Sequence, residues 1–125
     1  MALKFKEEYY LIVGAAMKVH QYFGNGFLEA VYQEALMLEF EKQRIPFRRE
    51  VSLPLYYHDV QMTKYYVADF ILYDRILLEL KAVKAIDQSH EAQIINYLKI
   101  TKAPLGVLLN FGARSLQHKR YLMGK

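Results

Sequence analysis

The stretch YVADFILYDRILLELKAV, Tyr66 to Val83, holds the residues best suited to chemistry. Asp69, Glu79 and Lys81 sit inside two runs of aliphatic and aromatic residues. Such runs are typical of strands covered on both faces, where an unpaired charge is costly. Glu79 and Lys81 are two apart and so share one face of their strand. Asp69 joins them only if the hairpin loop is of the right length. A two-residue loop at Asp74-Arg75 sets Asp69 opposite Leu80 and turns it away; a three-residue loop, Tyr73-Asp74-Arg75, sets it opposite Glu79. Two carboxylates on that face stand roughly 5 Å apart, and both stay ionised only beside a compensating cation. Lys81 supplies one positive charge and a divalent ion would supply two. Hard oxygen donors in a chain without cysteine favour magnesium or manganese over zinc. The plain alternative is a structural ion pair of Lys81 with Glu79 or Asp69, and these three residues alone leave both readings open.

The elements that must position them follow from the apolar spacing. Residues 7–23 keep apolar groups three and four apart and predict a helix, which Gly24-Asn25-Gly26 breaks. A second helix is expected from Leu28 to about Arg44, with Val31, Ala35, Met37, Leu38 and Phe40 inward and Pro46 beyond its end. Val51, Leu53, Leu55 and Tyr57 alternate with Glu50, Ser52 and Pro54, which predicts a strand with one wet face. Pro54 assigns that strand to an edge. His58-Asp59 form a turn, strands at 63–72 and 76–83 follow, and a helix spans about Gln88 to Thr101 with Asp87 or Ser89 as its cap. LGVLLN, Leu105 to Asn110, reads as a buried strand, and Gln117–Leu122 as a last short one. The helix between strands 76–83 and 105–110 is a crossover, which makes those strands parallel. The order is ααβββαβ(β): an α/β sandwich of three layers, a central mixed sheet with helices on both faces.

At 125 residues the chain fits one domain, residues 1–125. A hydrophobic fraction of 54% argues against disorder, and no apolar run is long enough to cross a bilayer. The N-terminus lacks a signal-peptide pattern, so a cytoplasmic address is expected. A net charge of +4 permits attraction to phosphate without requiring it. No Gly-rich phosphate cradle argues for hydrolysis of a nucleotide-like small molecule.

Five motifs in order are similar to those of the PD-(D/E)XK nuclease superfamily, and in particular its small bacterial G-x-x-E-x-x-Y group. Gly26-Phe27-Leu28-Glu29-Ala30-Val31-Tyr32 resembles the motif that gives the group its name. Ala68-Asp69-Phe70 resembles the acidic strand, with alanine where the superfamily's name has proline. Glu79-Leu80-Lys81 resembles the E-x-K strand, Gln93-Ile94-Ile95-Asn96-Tyr97 the Q-x-x-x-Y helix, and Leu105–Gly112 the following strand. The likeness runs from about Val13 to Tyr121.

That resemblance implies a metal-dependent phosphodiesterase acting on nucleic acid, DNA ahead of RNA. Asp69 and Glu79 would hold magnesium or manganese with the main-chain carbonyl of Leu80, and Glu29 would coordinate directly or through water. Lys81 would assist the attacking water. Gln93, Tyr97 and Tyr32 would contact substrate, Gln93 also orienting the lysine. Glu29 and Tyr32 share a helix face near its N-terminus, where the helix dipole favours an acid. Arg48, Arg49, Lys64, Lys84, Lys102 and Arg114 are candidates for backbone contacts. His90 is read as a bystander, and His20 and His58 as surface or cap residues. The competing expectation is an inert nuclease-like binding module within a larger assembly, self-associated or with a protein partner, and not a membrane protein.

Overall fold

The computed structural model describes residues 5–123, so the two ends of the expected 1–125 domain lie outside the described residues. Its elements are α1 (Lys6–Phe23), α2 (Glu29–Gln43), β1 (Phe47–Tyr57), β2 (Val60–Leu72), β3 (Ile76–Lys81), α3 (Gln88–Thr101), β4 (Leu105–Asn110) and β5 (Gln117–Leu122). The five strands form one sheet in the order β1-β2-β3-β4-β5. All neighbours are antiparallel except β3 and β4, which the α3 crossover makes parallel.

Two apolar clusters lie on the sheet's two faces. On one, Ile12, Ala16 and Val19 of α1 and Leu36 and Phe40 of α2 pack on Phe70, Leu72, Leu78, Leu80, Val107 and Leu109. On the other, Ile94, Tyr97 and Leu98 of α3 pack on Leu53, Ile71, Leu77 and Leu108. Each fully buried Leu, Ile or Phe contributes about 2 kcal/mol by leaving water. β3 and β4 are buried throughout but for Lys81 at the β3 end, as their composition demands.

The α1–α2 joint needs its glycines: Gly24 has φ 68° and Gly26 φ 106°, where a Cβ is strained. Asp87 caps α3, accepting from the amides of Ser89 and His90, while the His90 ring accepts from the Asp87 amide. His90 thus has a capping part. Pro54 does lie on an edge strand.

Three expectations change. The inner stripe of α2 is Tyr32, Gln33, Leu36 and Phe40, while Leu38 is 54% exposed. β3 stops at Lys81, short of Val83. β2 is covered only from Ala68 onward, and its residues from Val60 to Val67 are exposed. The cause is one of length: β1 and β2 run on together as a two-stranded arm past the point where pairing with β3 ends.

Candidate active site

The β2–β3 turn decides where Asp69 points. Its three residues are Tyr73, Asp74 and Arg75, with Tyr73 at φ 55° and Asp74 at φ 60°, and Leu72 pairs with Ile76 across it. The register continues through Ile71↔Leu77 and Phe70↔Leu78. One step further, Asp69 stands opposite Glu79. There main-chain pairing gives way to side chains: the Asp69 amide donates to Glu79 Oε2 at 2.9 Å, and the Leu80 amide donates to Asp69 Oδ2 at 2.9 Å. Each carboxylate fills the place of a missing ladder carbonyl.

β2 also rolls at this point. Ala68 packs in the α3-side cluster and Phe70 in the α1/α2-side cluster, although residues two apart on a regular strand share a face. Across on β1, Glu50 has φ 53° and falls between the paired residues Arg49 and Val51. The roll leaves Asp69 reachable from both layers.

Burial governs the electrostatics. Glu79 is 4% exposed. Removal from water first, and the Asp69 charge second, push its carboxyl up from 4.5 to about 9. Asp69 is also raised by burial, against the pull of the Leu80 amide and the Gln33 side chain. Glu29, on the rim, is raised by partial burial and then by Asp69, with Lys81 and His90 opposing. Neither Asp69 nor Glu79 has an ion-pair partner among the described residues. The alternative of a structural Lys81 pair is therefore not what forms.

Instead Lys81 Nζ donates to Gln93 Oε1 at 2.6 Å, and Gln93 Nε2 donates to Tyr97 Oη at 3.1 Å. An ammonium has only donors, so it fixes which end of the Gln93 amide faces it. The Tyr97 ring, 5% exposed, stacks on Tyr66 with centroids 5.0 Å apart. Gln93 and Tyr97 thus hold the lysine from α3, and Tyr97 is too buried to offer much surface to a substrate.

A second chain reaches the site from α2. Gln33 Nε2 donates to Asp69 Oδ1 at 2.7 Å, and Arg49 Nε donates to Gln33 Oε1 at 2.9 Å. Sequence reasoning missed Gln33. Its signal was available: it stands four residues after Glu29 and one after Tyr32, polar on an otherwise apolar helix face. Arg49 is thereby engaged within the protein, and Arg48 lies 3.7 Å from Asp74.

Tyr32 lies in the core. Its ring is 0% exposed and stacks on Phe111 at 4.8 Å. Its hydroxyl donates to the Gly24 carbonyl and accepts from the Phe27 amide. Tyr32 thus fastens the α1–α2 joint, its ring closed off from solvent.

The end of β3 is held from β4. Asn110, 0% exposed, accepts through Oδ1 from the amides of Val83 and Gly112 and donates through Nδ2 to the Val83 carbonyl and Gln117 Oε1. The Phe111 amide donates to the Lys81 carbonyl at 2.8 Å. A Cβ on Gly112 would lie 2.3 Å from the Val83 carbonyl oxygen, so the two chains meet at a distance only glycine permits.

The donor set suits a hard divalent cation: two buried carboxylates side by side, both driven toward the neutral form when nothing positive sits between them. The described residues hold no trio of His, Asp or Glu at metal-holding spacing. Glu29 stands on the rim beside this pair, not grouped with it. Magnesium is commonly held by one or two carboxylates with water completing its shell, so the pair is sufficient. A groove of about 950 Å³ elsewhere, lined by Tyr9, Tyr10, Val13, Met17, His118 and Arg120 among others, contains none of these acids.

A family model described as the PD-(D/E)XK nuclease superfamily matches residues 6–121. No curated protein matches, and no solved structure matches.

Proposed function

The chain belongs to the PD-(D/E)XK nuclease superfamily, and on that premise we propose that it hydrolyses phosphodiester bonds of nucleic acid. Within the superfamily we assign it to the G-x-x-E-x-x-Y group, on Gly26, Glu29 and Tyr32. The observation that carries the reading is the exchange of ladder bonds for the Asp69 and Glu79 carboxylates, which brings two acids together beside an amine.

Asp69 and Glu79 would hold magnesium or manganese. The amide and carbonyl of one strand residue point to the same side, so the Leu80 carbonyl faces the same gap as its amide and can add a ligand. A bound divalent ion would polarise the scissile phosphate and lower the pKa of a water. Lys81 spends one donor on Gln93 and keeps two, enough to steer the attacking water and to meet charge developing on the phosphate. Glu29, at the solvent rim, accepts a proton from water or holds a further water in line. DNA is the favoured polymer, and a second copy or a protein partner would supply recognition that a single small domain lacks.

The test is cleavage of labelled DNA and RNA by purified protein in magnesium or manganese, with Lys81→Ala as control. Metal-dependent cutting that Lys81→Ala abolishes is expected. No cutting of any polymer, together with no metal uptake by calorimetry, would leave the inert binding module instead. Among the described residues no helix is long and apolar enough to cross a membrane.

A further inference from the structure

The β1–β2 arm beyond the sheet exposes large side chains that folding does not require: Tyr56, Tyr57, Val60, Met62, Tyr65, Tyr66 and Val67. Tyr66 differs from the rest by its position. One face of its ring lies on Tyr97 with planes 29° apart, yet the residue is 42% exposed. A ring covered on one side and wet to this degree presents its other side to solvent. From Tyr66 the contacts run without a break through Tyr97 and Gln93 to Lys81. Its neighbour Tyr65 pairs with Pro54 in a continuous stretch of register and so projects from the opposite face.

We propose that Tyr66 is a stacking platform for an unpaired nucleobase, linked through Tyr97 and Gln93 to Lys81, and that the substrate is single-stranded nucleic acid. The proposal rests on the nuclease reading and narrows its substrate class. An aromatic face accepts any base but only one freed from its partner, because a paired base within a duplex is already stacked on both sides. The segment from Ser52 to Val67 carries one acid, Asp59, and one base, Lys64, so what it offers a ligand is chiefly its rings. Continuity with the lysine favours this occupant over a second copy of the chain, which would gain nothing from a ring aligned with the site.

The experiment measures anisotropy of labelled single-stranded and duplex DNA in chelator, where nothing is cut, and then cleavage of both in manganese. The wild-type protein is expected to bind and cut the single strand at least about tenfold better. Tyr66→Leu should weaken single-strand binding about 5- to 100-fold, Tyr66→Phe by no more than about twofold, and Tyr65→Ala should change nothing. A strand carrying 2-aminopurine gives a readout independent of any variant's folding, its fluorescence falling when the base stacks. Equal binding of both forms, with Tyr66→Leu unaffected, overturns the platform even if cleavage occurs. Tyr66-dependent binding without cleavage in any metal keeps the platform and removes hydrolysis. A concentration-dependent dimer dissolved by Tyr66→Leu, with no single-strand preference, assigns the arm to self-association and overturns the proposal.

Discussion

Replacing Glu79 with glutamine should stabilise the metal-free protein while ending its chemistry. The fold holds this carboxyl at about 9 against 4.5 in the open. It therefore binds a proton more tightly folded than unfolded. Any stability this lends is complete below pH 4.5 and drains away as pH rises toward about 9. At pH 7, about 2.5 pH units above the ordinary value, keeping Glu79 neutral in the fold costs about 3–4 kcal/mol at ~1.4 kcal/mol per unit. Glutamine carries no such cost, and its amide oxygen still accepts from the Asp69 amide. Urea unfolding in chelator at pH 6 and pH 8 reads the difference. Wild type should lose about 2–3 kcal/mol across that interval, and Glu79→Gln less than about 1 kcal/mol. Manganese should raise the wild-type midpoint and leave the variant's unmoved. Equal slopes for the two proteins, or a variant weaker than wild type at pH 8, would refute the claim that this acid is buried against its charge.

Lys81→Met should slow single-turnover cleavage at least about 100-fold, and Gln93→Leu about tenfold, since the first removes the amine and the second only its guide. Asn110→Leu should cost about 2–4 kcal/mol in urea unfolding, because buried amides and a carbonyl lose their partner. Tyr32→Phe should cost about 1–2 kcal/mol yet leave turnover per folded molecule unchanged; a large fall in turnover would return Tyr32 to the reaction.

The element order was legible because apolar spacing and turn residues agree along this chain. The hairpin was legible only as two alternatives, since Tyr73 and Asp74 must both adopt positive φ for the acids to meet and tyrosine does not advertise that. Periodicity misassigned α2 for a related reason. Leu38 is an ordinary exposed apolar residue, whereas Gln33 is buried because Asp69 and Arg49 satisfy its amide, partners that lie 36 and 16 residues away. Asn110 was hidden likewise: at the end of LGVLLN it looks like a strand terminus, and only the approach of Val83 and Gly112 makes it a hub. The roll of β2 at Asp69 left no local mark at all.

Strands usually fray where they leave a sheet. The end of β3 is held against this, because Asn110 staples its exit to the exit of β4 while Gly112 lets the two backbones touch. Lys81 consequently hangs from a strand end tied by several hydrogen bonds, whereas Glu29 stands on a helix start exposed to solvent. Under the proposed hydrolysis, the amine would then be the better-anchored partner and the rim acid the one left freer to adjust to a substrate.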